Sequence, residues 1–366
     1  MNTKFIKFAV VLLLWSSCSQ QQPKNNYVVL AYVTAQSRVM PDPDYVTHIN
    51  YAFGHVNETF NGIIINAPPR GDNTGRPSYE DRLRSIVELK KQKPSLKILL
   101  SIGGWGSGRF SEMAATETTR LAFAADCQRV VKEFNLDGID MDWEYPTDGG
   151  AGISSSPADL ENFTLLMRDI RRAIGKDKLL TFASVSDAKF VDFKAVNEFV
   201  DFVNVMTYDM GRPPRHHAAL TNSAHTRISS AQSIDWHVER GIPIEKLTLG
   251  LPFYGRGING IPGSLQWRHM INVDGTLGFV DRRSRKVVGL DGFEDRWDAE
   301  AQAPYWADTL GNFVMTYESP KSIAIKCEWL RQKGMLGAMY WEYSADDDQG
   351  TLRKAVYNGV VYGKYN

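Results

Sequence analysis

From Tyr27 onward, short runs rich in β-branched and aromatic residues alternate with stretches whose apolar residues recur every three to four positions. The first pattern predicts strands and the second amphipathic helices. Eight strands are expected: YVVLAYV at Tyr27, HINYAFGHV at His48, KILLSIGG at Lys97, LDGIDMDWE at Leu136, LLTFASVS at Leu179, VDFVNVMTYD at Val200, KLTLGLPFYG at Lys246 and GAMYWEYS at Gly337. Between them, Leu83, Ile86 and Val87 mark one helix. Leu160, Phe163, Met167, Ile170 and Ile174 mark another, with Ser156 as N-cap and Pro157 at its first position. A later helix opens at Ser319-Pro320 and stops at Gly334.

Eight strands alternating with helices predict the α/β class, as a (β/α)8 barrel, because parallel strands need crossover helices. A doubly wound sheet is the alternative, but no GxGxxG follows the first strand. One interval breaks the rhythm. The roughly sixty residues between Tyr254 and Ser319 carry Gly-rich turns and short strand-like pieces such as GFVDRR and NFVMTYES, too much for a plain loop. They predict a small α+β insertion, residues 255–318, between strands seven and eight, standing over the barrel's C-terminal face. The barrel itself then takes 27–254 and 319–366.

Composition narrows the partners. Forty-two basic and 42 acidic residues leave no net charge among 366, so nothing global favours nucleic acid. Nine Trp and an 11% aromatic share suit stacking on a neutral sugar. At the N-terminus, Lys4 and Lys7 precede the apolar run Phe8 to Trp15, which is too short to span a bilayer. Ser16, Ser17 and Cys18 follow and resemble a bacterial lipoprotein cleavage site. Residues 1–17 are expected to be a signal peptide, Cys18 the lipidated residue, and 18–26 a polar tether. This describes an exported monomer, held at the (outer) membrane only through a lipid anchor, or secreted if Cys18 stays unmodified. Cys127 and Cys327 each fall on the apolar stripe of a predicted helix. Buried thiols are therefore expected, not a disulfide or a zinc site.

The chemistry concentrates in LDGIDMDWEYP, Leu136 to Pro146. With a side-chain period of two, Asp140, Asp142 and Glu144 share one face while Ile139, Met141 and Trp143 share the other. The apolar face must pack on helices, so the acids point into the barrel, with Glu144 at the C-terminal mouth. Asp137 is out of phase and is expected to be structural. Stacked carboxyls in a dry interior cannot all ionise, and a carboxyl kept protonated near neutral pH can act as a general acid. One strand alone rarely surrounds a cation, which disfavours a Mg2+ or Ca2+ site.

This segment resembles the DGxDxDxE signature of glycoside hydrolase family 18, the chitinase family. SIGGW (Ser101 to Trp105), MTYD (Met206 to Asp209) and FYGR (Phe253 to Arg256) are similar to its third, sixth and seventh strands. The resemblance covers essentially Tyr27 to the C-terminus. It implies cofactor-free, retaining hydrolysis of β-1,4-linked N-acetylglucosamine in chitin, assisted by the substrate's own acetamido group. It implies Glu144 as general acid/base, Asp142 holding the acetamido N–H, Asp140 sharing a proton with Asp142, and Tyr208 donating to the acetamido oxygen. Met206 would line that pocket, Trp341 would floor it, and Asp209, Tyr254 and Arg256 would touch sugar. Tyr32, Phe53 and Trp105, at strand ends, would line the cleft. Two other readings stay open: an endo-β-N-acetylglucosaminidase acting on N-glycan cores, and a non-catalytic chitin-binding lectin. After Asp209 the chain runs MGRPPRHHAALTNS, unlike the loop of many chitinases. There Arg215, His216 and His217 either shape the leaving-group side or form a solvated turn.

Overall fold

The computed structural model describes residues 27–65, 77–271, 276–280, 287–289 and 292–365. The expected signal peptide, Cys18 and the tether lie outside the described residues. The eight expected strands form β1 (Val28–Thr34), β2 (His48–Val56), β3 (Lys97–Gly103), β4 (Gly138–Asp142), β5 (Leu179–Val185), β6 (Phe202–Met206), β7 (Leu247–Pro252) and β8 (Gly337–Trp341). Each pairs in parallel with the next, and β8 returns to β1 through Val28 opposite Gly337 and Ala31 opposite Tyr340. The sheet is thus a closed barrel with no free edge.

Strand phase sorts the buried side chains as the alternation requires. Val29, Ala31 and Val33 of β1 and Ile139 and Met141 of β4 pack outward in the main core, against helices such as Glu117–Glu133 and Asp159–Ile174. Each of the Val, Ile and Met side chains contributes about 1.5–3 kcal/mol by leaving water. Val28, Leu30 and Tyr32 of β1, with Phe202, Met206 and Met339, form a separate apolar group inside the barrel. Between these interior residues lies a fully buried polar layer, Asn50, Ser101, Asp140, Thr181, Asn204 and Thr248. An interior polar residue is a poor filler by itself, so this layer points to a site it serves.

Several local expectations are refined. Asp159–Ile174 begins two residues after Pro157 and has no side-chain cap. Ser156 instead sits in a turn before it, where its N–H donates to Asp159 at 2.7 Å and Ser111 donates to the same carboxylate at 2.9 Å. The helix Pro320–Gln332 does start at the Ser319 N-cap, with a reciprocal bond to Ser322, and Gly334 follows it in the left-handed region at φ 74°. Cys127, on the helix Glu117–Glu133, and Cys327, on Pro320–Gln332, are buried free thiols. Asp137 is structural: it accepts from Lys90 at 2.8 Å and from the Ile98 N–H at 2.9 Å, at the base of β4.

The interval between β7 and β8 folds as an antiparallel sheet in the order Leu265–Gln266, Tyr254–Gly257, Phe313–Thr316, Ala303–Asp308, Phe293–Asp298. Its first strand takes Tyr254, so the boundary with the barrel falls at Phe253, one residue earlier than expected. Among its described residues the only helical turn is Trp267–His269. Tyr254 and Arg256 therefore reach the site from the insertion's sheet.

Candidate active site

β4 ends its regular pairing at Asp142, and Glu144 stands two residues beyond it, in a bend just before the turn at Pro146 and Thr147. The strand was expected to run through Glu144. Its pairing ends with Asp142 opposite Gly103 on β3 and Met141 opposite Phe182 on β5, although β5 itself continues to Val185. Gly103 adopts φ 131°, and a Cβ there would collide with the Asp142 carbonyl. Gly104, at φ 91°, brings its backbone so close to Phe53 that a Cβ would stand 2.6 Å from the ring. The SIGG glycines thus let β2, β3 and β4 converge at one point.

Above that point lies a cavity of about 740 Å3 at the barrel mouth. Tyr32, Phe53, Trp105, Asp142, Glu144, Met206, Tyr208, Asp209, Tyr254, Arg256 and Trp341 all line it, so every predicted site residue among the described ones reaches it except Asp140. Asp140 sits beneath, fully buried. Its Oδ2 accepts from Tyr32 Oη at 2.9 Å and Ser101 Oγ at 2.8 Å, and its Oδ1 from Thr181 Oγ1 at 2.5 Å and Asn204 Nδ2 at 3.1 Å. The Asn204 amide is oriented by Thr248, which donates to its oxygen at 2.8 Å. Burial raises the Asp140 carboxyl, and these four donors pull it back toward ionisation.

The expected proton-sharing bond between Asp140 and Asp142 is not formed in this structure. Asp140 has both oxygens filled from the polar layer, and buried Asp142 Oδ1 has no hydrogen-bond partner. The two acids act on each other through space. Burial, then the charges of Glu144 and Asp140, push Asp142 well above the usual carboxylate range. Glu144 is pushed up to about 7, chiefly by burial; Tyr145 opposes the shift and the charge of Asp209 adds to it. Near neutral pH this site therefore holds a protonated carboxyl facing open space.

Trp341 forms the apolar floor, stacked on Phe53 with centroids 5.6 Å apart and planes at 17°, and lying 5.6 Å from the Tyr32 ring. Trp105 is 67% exposed and meets Tyr145 edge-on. The Tyr208 hydroxyl approaches the Met339 sulfur at 4.0 Å, a weak acceptor that leaves its proton available to a ligand. Asp209 accepts from Arg256 Nε and Nη2, both at 2.6 Å, and from Tyr254 Oη at 2.9 Å. Burial works against its charge, but His217 and Arg256 outweigh it and hold the carboxyl well below the usual range.

The sequence reading missed Tyr145, Arg212, Gln266 and Glu342, which also line the cavity. Tyr145 and Glu342 adjoin predicted residues but are out of strand phase; Arg212 and Gln266 come from loops and the insertion, where no periodicity speaks. The polar layer did have a signal: Ser101, Thr181 and Asn204 are the polar interruptions inside otherwise apolar strands. Of the MGRPPRHHAALTNS segment, His216 and His217 are fully buried and Arg215 is exposed, so the pair of histidines is no solvated turn.

The family model described as glycosyl hydrolases family 18 matches residues 15–346. The chain is 31% identical over 385 residues to Chitinase A1 of Niallia circulans, covering 86% of this chain and 54% of that one. It is 30% identical to Probable chitinase 2 of Drosophila melanogaster, covering 93% and 76%. Among solved structures, a family 18 N-acetylglucosaminidase from Paenibacillus barengoltzii superposes with a TM-score of 0.74 at 35% identity, covering 91% of this chain and 99% of that one. The chain thus spans about half the length of Chitinase A1.

Proposed function

The chain belongs to glycosyl hydrolases family 18, and from that membership we propose that it hydrolyses β-1,4 links between N-acetylglucosamine units of chitin or chitooligosaccharides. The observation that carries this reading is the pairing of Glu144, raised to about 7 at the cavity wall, with buried Asp142, whose Oδ1 has no partner, beside the Trp341 floor.

In this mechanism the sugar at the cleavage point lies on Trp341. Glu144 gives its proton to the glycosidic oxygen, and the bond from that oxygen to the anomeric carbon breaks. The carbonyl oxygen of the sugar's own 2-acetamido group attacks the same carbon from the other face, closing a cyclic cationic intermediate. Asp142 accepts the acetamido N–H on the oxygen that the protein leaves unpaired, which would otherwise be a costly orphan. The developing positive charge is stabilised by the Asp142 oxygen beside it, and Asp140 adds its field from below. Tyr208 donates to the acetamido oxygen. Glu144, now a carboxylate, deprotonates the water that opens the ring and recovers its proton. The reaction requires an N-acetylated sugar, so a deacetylated polymer should survive.

The test is turnover of a fluorogenic chitobiose substrate by the wild type and by Glu144→Gln. The variant should lose most turnover and keep oligosaccharide binding. Binding without turnover in the wild type would favour the lectin reading, and release of intact glycans from an N-glycoprotein would favour the endo-β-N-acetylglucosaminidase reading.

A second reading has a specific observation behind it. The structural relative at 35% identity, matched over nearly its whole length, is an N-acetylglucosaminidase. Release of single sugars from chitin oligomers of defined length, in place of dimers or internal fragments, would select exo action of that kind.

We also propose export through residues 1–17 and lipid attachment at Cys18. Mass spectrometry of the mature N-terminus, with Cys18→Ala as control, decides between anchoring and secretion.

A further inference from the structure

The two adjacent histidines of the loop after β6 face opposite ways. His216 points into the insertion, with Nε2 3.3 Å from Asp298 and its ring 4.8 Å from that of Phe313. His217 points to the cleft. Its Nδ1 lies 3.7 Å from Asp209 Oδ1, and its ring lies 5.4 Å from that of Tyr254. The His217 side chain is wholly buried, and neither ring nitrogen has a hydrogen-bond partner among the described residues. Its backbone is pinned on both sides. The N–H donates to Thr316 Oγ1 at 3.2 Å, and the carbonyl accepts from the Met210 N–H at 3.1 Å.

Asp209 is an unusual residue to leave in this wall. Its φ of 56° is left-handed, and its side chain is 46% exposed to the cavity. Arg256 and Tyr254 grip it from the insertion side, and His217 closes the back. The groups facing His217 are Asp209 from the β6 loop, Tyr254 and Arg256 from the insertion's first strand, Thr316 and Glu318 from the end of its strand Phe313–Thr316, and its neighbour His216. Burial keeps the imidazole neutral against the pull of Asp209 and Glu318. The neutral ring turns Nδ1 toward Asp209 and favours its ionised form without cancelling the charge, and that charge acts on Glu144. A smaller side chain would leave a void into which the carboxylate could turn or water could enter.

We propose that His217 is a positioning residue: it backs the Asp209 carboxylate, keeps it aimed into the cleft with its charge intact, and so governs how bound sugar and Glu144 meet that charge. This rests on the hydrolase reading above.

The experiment compares wild type, His217→Ala and His217→Asn in two measurements. The first is the pH dependence of kcat and KM on fluorogenic chitobiose. The second is the Kd for a chitin tetramer in a Glu144→Gln background, which needs no turnover. His217→Ala should raise KM and Kd about fivefold and move the alkaline limb of kcat/KM to lower pH, since Asp209 no longer holds the Glu144 proton as firmly. His217→Asn, which refills part of the space with a neutral donor, should restore most of both. In an Asp209→Asn background the His217→Ala effects should vanish. If His217→Ala does not fold, His217→Gln takes its place in the same comparison. Unchanged KM, Kd and pH limb, with only a lower melting temperature, would reduce His217 to a packing residue and overturn the proposal. A wild type without turnover on any amino sugar would instead sink the hydrolase reading, while the Kd arm still decides the role of His217.

Discussion

The hydroxyl of Tyr32 on β1 donates to Oδ2 of Asp140 on β4 at 2.9 Å, through the interior of the barrel. It is one of four donors that make a buried charge tolerable there, and it is also one of the groups that line the cavity above. A single side chain thus joins the stability of the barrel to the electrostatics of the cleft. Tyr32→Phe should cost about 1–3 kcal/mol, the penalty of leaving a buried acceptor short of a donor. The loss should grow as pH rises. Without this donor the Asp140 carboxyl is raised further, so the folded state holds its proton over a wider range than the unfolded state does. Denaturant titrations at acidic and alkaline pH check both the size and the trend.

Glu144 has its own signature. Its carboxyl is raised from the ordinary 4.5 to about 7 in the folded state. The folded protein therefore binds the extra proton between those values, and stability falls as pH rises through that window. Glu144→Gln removes the cost. It should melt at the same temperature as the wild type at a pH below both values, and higher than the wild type at pH above the window. Activity follows the same proton: the alkaline limb of wild-type kcat/KM, which reports the free enzyme's acid, should fall near pH 7, and the variant should lose roughly 10²–10⁴-fold in kcat. A variant that melts no higher in alkali would remove the physical basis for Glu144 as the acid.

Trp341 is held by Phe53 behind it, 5.6 Å away and nearly parallel. Trp341→Ala should raise the Kd for chitin oligomers roughly two- to tenfold through lost stacking alone, while Trp341→Phe should recover part of it. Calorimetric titration in the Glu144→Gln background reads this without hydrolysis.

Lys326 and Glu318 form an ion pair that is essentially sealed from solvent, and Lys326 also donates to the Ala218 carbonyl, next to His217. Lys326→Met strands the Glu318 charge and should cost about 3–5 kcal/mol. Lys326→Met combined with Glu318→Gln should recover much of that loss, because no unpaired charge stays buried. Urea midpoints of the two variants test it; a double variant no better than the single one would mean that the pair is not what Lys326 contributes.

Much of the site was readable because local rules govern it. A period of two is enough to place Asp140, Asp142 and Glu144 on one face, and the demand that Ile139 and Met141 meet helices decides which face points inward. The same phase places Met206 and Tyr208 together. Turn chemistry was less dependable: Ser156-Pro157 looked like a helix start, yet the Asp159 carboxylate staples a turn there and the helix begins later. The alternation also overran at Glu144, since alternation does not show where pairing with the neighbouring strands ends.

What the sequence determined by itself was the closed barrel, its inward acid row and the apolar shell around it, since these follow from short-range periodicity and from the cost of burying charge. Only the tertiary structure decided that Asp140 is saturated by donors from four other strands, that Asp142 keeps an oxygen free, and that His217 stands behind Asp209. The donors to Asp140 lie 39 to 108 positions away, His217 meets Asp209 through the path of a loop with no periodicity, and hydrogen-bond and charge energies depend on distances that no local pattern encodes.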